Sequence, residues 1–436
     1  MIDIRRFEVV AVVQAALDGL DVLASARCLA VVASLLLVWV TLEPFEDLRI
    51  ATLPGAPAGK LAFTYLAFGA LALLTVLLSA SDNIPALKSL WTPLHLCLLG
   101  WMAFNIALSQ SPGVSLQRFV LTASVISLAL MIPLLPPTQA AFKWCFAVAA
   151  LLLLALCYFG LVAAPALAIH SAADVTEPDL AGDWRGSFAH KNAAAAVMAI
   201  LVYLGLYLAT NGLRLWGGSI AALAALFLVG SGGKSALALC IGVGLLAQLI
   251  ATIRSLWLKM LVCLVPVVLM NLLSVGSAIN TGLAAIVGLL PIDTSFTGRT
   301  DIWKYAFAAF LDHPFRGYGY AAFWENANRT SAEDLGWAST SPHSHNSYLD
   351  LALTIGLPGL VLVILVFVVA PLRNFHVIQS ADRSSGLARL FLVIWMFGVY
   401  FATMETFLLD RQNPTWFSFV IAAAGLHYLA RFGVKA

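Results

Sequence analysis

Long apolar runs, broken by short polar links, recur along nearly the whole chain. A helix needs about 20 mainly apolar residues to cross a bilayer core. That template predicts spans at about 27–43, 61–79, 90–108, 116–134, 141–166, 192–210, 213–229, 235–252, 256–276, 347–370, 387–407 and 413–430. Ahead of them, residues 1–24 carry Arg5 and Arg6 and then an amphipathic pattern that suits a surface helix. The predicted fold class is an all-α polytopic membrane protein of about 12 transmembrane helices with a large, partly helical outer loop domain. Its parts are an N-terminal bundle of about nine spans over 1–276, a loop domain over 277–346 and about three C-terminal spans over 347–436.

Composition supports that pattern. With 61% hydrophobic and only 11% charged residues in 436, and a mean hydropathy of +0.93, the natural solvent for the surface is a bilayer. A net charge of +2, with no long basic run, excludes nucleic-acid binding. The cysteines (Cys28, Cys97, Cys145, Cys157, Cys240, Cys263) all lie in or beside apolar runs and read as small core residues rather than a disulfide framework or a CxxC metal pair. The first strong apolar run begins after Arg27 and is followed by many others, so an uncleaved membrane protein is expected.

Charge position orients the chain. With the N-terminus inside, the short inner loops collect Arg5, Arg6, Arg27, Lys88, Lys143, Arg214, Arg254, Lys259, Arg373, Arg383, Arg389, Arg431 and Lys435, the bias of cytoplasmic loops. Both termini are then cytoplasmic. The outer face receives 167–191, the Ser231-Gly232-Gly233-Lys234 link and the loop from about 277 to 346.

Candidate chemistry gathers on that outer face. Ser341-Pro342-His343-Ser344-His345-Asn346-Ser347 joins the long polar loop to an apolar helix interrupted by Gly356 and Gly359. His345 suits a general base, because an imidazole titrates near neutrality. It equally suits a helix cap, with Asn346 and Ser347 as alternatives. The His343/His345 pair, joined by His313 or Asp350, would be a metal site. Arg299 carries the planar fork best matched to a diphosphate, or it is a surface ion pair with Asp293 or Asp301. Within it, Ile302, Tyr305, Ala306, Ala309 and Phe310 fall at helical spacing. The aromatic stretch His313-Pro314-Phe315-Arg316-Gly317-Tyr318-Gly319-Tyr320 follows, and the whole reads as a folded cap.

Asp183-Trp184-Arg185-Gly186-Ser187-Phe188-Ala189-His190-Lys191-Asn192 is a second cluster, or a helix start with an interfacial tryptophan. Gly230-Ser231-Gly232-Gly233-Lys234-Ser235 lacks the glycine a nucleotide loop needs six residues before its lysine, where Leu228 stands. Lys234 is kept as a phosphate contact. Glu405, Asp410 and Arg411, near lipid, need partners and read first as structural ion pairs.

His345-Asn346 followed by Gly356-Leu357-Pro358-Gly359 resembles the histidine signature of the O-antigen ligase family, which includes exopolysaccharide polymerases. Gly298-Arg299-x-x-Ile302-Trp303, Pro314-Phe315-Arg316-Gly317-Tyr318-Gly319 and Phe188-Ala189-His190-Lys191-Asn192 are similar to the same family, the last closer to its polymerases. The resemblance covers about 180–420.

It implies a multi-pass enzyme of the bacterial inner membrane, with a periplasmic loop domain over its site. Such an enzyme joins a glycan from undecaprenyl diphosphate to an acceptor sugar, either lipid A core or a growing polysaccharide. The family's histidine falls on His345 and its diphosphate-binding positions on Arg299, Arg185, Lys191 and Lys234. Asn346, His343, His190 and Arg411 are in support, and neither metal nor cofactor is expected. A lipid-linked sugar transporter is the rival from another class, but no internal repeat of the kind transporters show is seen.

Overall fold

The computed structural model describes residues 21–40, 43–50, 58–175, 177–324, 341–383 and 385–433. The N-terminal surface helix expected over 1–24 lies almost wholly outside them. Among the described residues the protein is helical, with one isolated antiparallel bridge between Ile169 and Trp184.

Each predicted span is met by a helix: α1 Val22–Trp39, α2 Ala58–Lys88, α3 Pro93–Ala107, α4 Pro112–Met131, α5 Gln139–Ala163, α6 Lys191–Thr210, α7 Arg214–Gly230, α8 Lys234–Thr252 and α9 Leu256–Leu273. The loop supplies α10 Arg299–Asp312. Then come α11 Ser347–Ser380, α12 Gly386–Phe401 and α13 Pro414–Phe432. Among the described residues eight helices are long and apolar enough to cross a membrane, and a ninth crossing follows if Asp82–Lys88 and α3, bent by 70°, form one broken span. The protein is therefore a multi-pass membrane protein. Of the expected twelve, α7 and α12 are apolar but shorter, 17 residues at about 1.5 Å each falling short of a hydrocarbon core of about 30 Å, and α13 is not among the helices that qualify by length and hydropathy.

Local chemistry sets the helix ends. The Asp21 carboxylate accepts from Leu23 N and Ala24 N at 3.1 and 3.0 Å, so α1 starts ahead of the predicted residue 27. Thr92 caps α3, with Pro93 in the first turn, where a missing N–H costs nothing. Asn413 and Pro414 open α13 in the same way.

The centre of the bundle is α6, α12 and α13. In α6, 72% of the apolar window is buried, against 22% in the Ala62–Ala80 part of α2 and in Leu256–Ile279, so α2 and α9 turn Leu66, Leu73, Leu77, Leu261 and Val268 outward. Helices in lipid associate through close packing of small residues. A Cβ on Gly205 of α6 would lie 2.5 Å from Ala221 N, and one on Gly217 of α7 2.2 Å from Ala209 N. Cys145, Cys157, Cys240 and Cys263 are buried as expected, whereas Cys97 is exposed and none is in a disulfide.

One break matters for the site. Within α11, Gly356 adopts φ 69° and ψ 175°, a conformation open to glycine and costly for other residues. The break frees two carbonyls and an N–H that the loop then satisfies. Tyr318 N donates to Leu353 O at 3.0 Å, Gly319 N to Thr354 O at 2.9 Å, and Leu357 N to Pro314 O at 2.9 Å. The two glycine-rich motifs thus meet in space, and the loop is fastened to the helix that follows His345. Trp303, Ala306 and Phe323 complete the fastening by packing on Leu349 and Leu353 of α11, with Phe296, Tyr305, Phe310, Tyr318 and Trp324 around them. Ile302 and Ala306, at the predicted helical spacing, are buried in this packing together with Trp303.

Candidate active site

Asn346 is the helix cap that the sequence left undecided. Its side chain accepts from Tyr348 N at 3.1 Å and Leu349 N at 3.0 Å, and its amide donates to Asn271 Oδ1 at 2.9 Å and Thr403 O at 3.0 Å. The preceding residue is released from capping. His345 sits at φ 55°, a left-handed conformation that costs a non-glycine residue about 1–2 kcal/mol and persists only when its neighbours impose it. They do. Trp303 Nε1 donates to Ser344 O at 2.8 Å, Ser344 N donates to Asp350 Oδ2 at 3.1 Å, and Asn346 N donates to Ser344 Oγ at 3.2 Å.

The partner of His345 comes from the loop between α12 and α13. His345 Nδ1 lies 3.0 Å from Glu405 Oε2. The other oxygen, Oε1, accepts from an Arg299 terminal nitrogen at 2.7 Å and from Asn192 Nδ2 at 2.8 Å. Arg299 also donates to Met404 O. Ser347 holds this loop in place, its hydroxyl donating to Glu405 O at 2.8 Å and accepting from Phe407 N at 2.9 Å. Four separate parts of the chain thus meet at one carboxylate.

Burial pushes the Glu405 carboxyl up, but the His345 hydrogen bond and the charges of Arg299, His345 and His343 outweigh it and hold the pKa at about 2. The group is an anion throughout the neutral range. An ionised carboxylate on Nδ1 selects the tautomer with its proton there, leaving Nε2 as the acceptor. Among the described residues Nε2 has no hydrogen-bond partner. The His345 side chain is 22% exposed and that of Glu405 14%, so the pair is sheltered yet reachable. Beside it, His343 receives His345 N at 3.3 Å, with ring centroids 4.3 Å apart. Burial, and then the charge of His345, push its pKa down.

The expected cations separate. Arg299 is at the centre, paired with Glu405 rather than with Asp293 or Asp301. Arg185 is buried, 1% exposed, and donates to Phe188 O at 3.1 Å and to Glu46 O. Lys191 pairs with Asp183. His190 accepts from Asn192 N at 3.0 Å, which caps α6, and its Nε2 lies 2.8 Å from Glu177. Lys234 is exposed at the start of α8, where Gly233 packs against Ala195 of α6. Arg411 is half-buried in the Glu405 loop. Nor do His313 and Asp350 join the two histidines: His313 packs its ring on Tyr318, and Asp350 accepts from Ser344 N, Trp324 Nε1 and Thr406 Oγ1. No group of three or more His, Cys, Asp or Glu able to hold a metal occurs among the described residues.

Sequence reasoning assigned no site role to Asn192 and read Glu405 first as a structural ion pair. The signals were there: Asn192 belongs to the His190-Lys191-Asn192 motif, and Glu405 is an acid beside an apolar run.

The O-antigen ligase family model matches residues 217–364, a stretch from α7 to the first part of α11. An exopolysaccharide production protein, ExoQ, of Rhizobium meliloti (strain 1021) is 31% identical over 106 residues, which are 23% of this chain and 24% of that protein. Arg299, His345 and the Gly356 break all fall inside the family match. Over these stretches the chain is similar to the O-antigen ligase family and to that exopolysaccharide production protein.

Proposed function

We propose that this protein is an inverting, metal-independent glycosyltransferase that moves a glycan from undecaprenyl diphosphate to an acceptor sugar hydroxyl. The observation that carries the proposal is the contact between His345 Nδ1 and the ionised Glu405, inside a sheltered cluster with Arg299. His345 Nε2 takes the proton of the acceptor hydroxyl as its oxygen attacks the anomeric carbon, and the bond from that carbon to the diphosphate breaks. Glu405 keeps the imidazole in the basic tautomer and stabilises the imidazolium that forms. Arg299 gives one terminal N–H each to Met404 O and Glu405 and keeps its other donors for charge growing on the leaving diphosphate. Lys234 and Lys191 supply further cations at the same end. Arg185 is already engaged with backbone carbonyls, so in this proposal it shapes the site without touching the donor.

The same reading divides the chain into a bundle over 1–276, a periplasmic loop domain over 277–346 and a C-terminal helical part over 347–436. It places all twelve apolar helices in the inner membrane, both termini in the cytoplasm and His345 at the periplasmic face. For the acceptor, the family description favours lipid A core, as in a ligase. The similarity to an exopolysaccharide production protein favours a second lipid-linked repeat, as in a polymerase.

Purified protein supplied with undecaprenyl-diphosphate oligosaccharide, with and without lipid A core, tests these readings. Core-dependent transfer supports ligase activity, and a ladder of longer lipid-linked glycans supports polymerase activity. Either is expected to survive EDTA. Movement of the donor across vesicles with no new glycosidic bond would replace the enzyme by a transporter.

A further inference from the structure

A second polar cavity lies at the opposite end of the bundle. His345 precedes α11, whereas Arg373 and Asn374 lie 28 and 29 residues further along, on the order of 40 Å at 1.5 Å per residue. Likewise Glu405 lies before α13, whereas His427 and Arg431 are in its last turns. Thr92 and His95 stand at the start of α3, whose other end reaches the glycine break through Asn105 and Arg316 O at 2.7 Å. These six residues line a cavity of about 520 Å³, within the range of small-ligand sites.

Its charge is one-sided. Two arginines line it and no acidic residue does. Arg431 is held from behind, one terminal nitrogen donating to His427 O at 3.2 Å and to Asn374 Oδ1 at 3.3 Å. Arg373 is exposed and makes no hydrogen bond or ion pair among the described residues. His95 and His427 are braced by Thr92 Oγ1 at 2.5 Å and Ser89 Oγ at 2.9 Å, with ring centroids 6.4 Å apart. The first turn of α3 adds the positive dipole end of a 15-residue helix, its His95 N–H already capped by Thr92 Oγ1. Ala370, Val377 and Ala430 form an apolar wall. Two guanidinium groups, a helix N-terminus and an apolar wall suit a phosphate ester whose other end is greasy, and basic pockets between membrane helices take such headgroups.

We propose that this cavity, bounded by α3, α11 and α13, binds a phosphate group, carried by an anionic membrane lipid or free in solution. Arg373 and Arg431 grip the phosphate oxygens, and the apolar wall meets the glycerol and upper acyl chain of a lipid. The site is independent of glycan transfer.

Full-length protein in detergent, mixed with phosphatidylglycerol or phosphatidylcholine and examined by native mass spectrometry, tests this. Inorganic phosphate titrated in a thermal-shift assay is the second arm. Retention of phosphatidylglycerol over phosphatidylcholine, at least tenfold weaker in Arg373→Gln, supports the lipid source. Stabilisation by millimolar phosphate, lost in the same variant, supports free phosphate. Arg373 makes no hydrogen bond or ion pair among the described residues, so Arg373→Gln is expected to fold, and Arg373→Lys is expected to keep part of the binding. If wild type and Arg373→Gln retain phosphatidylglycerol equally and neither responds to phosphate, the proposal fails.

Discussion

Of the three histidine–carboxylate pairs around the start of α6, His190–Glu177 has both ring nitrogens taken, and the other two do different things. His345 and Glu405 stand 3.0 Å apart with side chains 22% and 14% exposed. His170 and Asp174 stand 2.9 Å apart with side chains 1% and 4% exposed. In the buried pair every useful atom is taken: His170 Nδ1 faces Asp174, and Nε2 accepts from Lys191 N at 3.3 Å. Burial pushes its pKa down despite the adjacent acid. Around it Arg185 feeds backbone carbonyls and Lys191 feeds Asp183. That region spends its polar groups on itself, and its visible product is a fixed Asn192 delivered to Glu405. In the other pair, Nε2 of His345 has no partner among the described residues. Catalytic capacity follows from what remains unsatisfied after folding, so a histidine beside an acid does not by itself mark a site.

Substitutions sharpen that contrast. Glu405→Gln removes the anion that sets the His345 tautomer, and kcat is expected to fall about 10²-fold, with Glu405→Asp restoring part of it; unchanged kcat would make Glu405 structural. The same carboxyl supplies a pH signature. Its folded pKa is depressed to about 2 from an ordinary 4.5, so its stabilising contribution is present above about pH 4.5 and is lost as pH falls towards 2. Melting curves should show that loss in wild type and a flatter acid limb in Glu405→Gln.

Arg185→Ala should act on the fold instead. It strips a buried donor from Phe188 O and Glu46 O and is expected to cost about 3 kcal/mol, while the folded fraction retains transfer activity. Loss of activity with no loss of stability would move Arg185 to the donor site. Asn192→Ala takes away one hydrogen bond to Glu405 and should slow transfer by up to about tenfold. Lys191→Ala breaks a part-buried ion pair with Asp183 and removes one cation from the donor end, so transfer is expected to slow by less than about tenfold; an unchanged rate would take Lys191 out of the donor site.

What could be read from the chain follows from which forces are local. A bilayer demands a long apolar helix wherever the backbone crosses it, so helices over all twelve stretches were legible, and so was the helical spacing of Ile302 and Ala306. His345 and Arg299 stood out as polar groups in a motif-bearing loop. Glu405 is 60 residues from His345 and 106 from Arg299, and no periodicity links them. The fates of Arg185 and Lys191 were equally hidden, because Glu46, Phe188 and Asp183 decide them through tertiary contacts. Gly356 was visible as a break, but its purpose, offering carbonyls to 317–319, needed the loop in place.

The central claim is that the exposed pair performs the chemistry and the buried pair does not. Glycan transfer from undecaprenyl-diphosphate oligosaccharide by His345→Ala and His170→Ala, each normalised to folded protein, tests it most directly. No detectable transfer is expected from the first and near wild-type transfer from the second. Wild-type transfer by His345→Ala would contradict it.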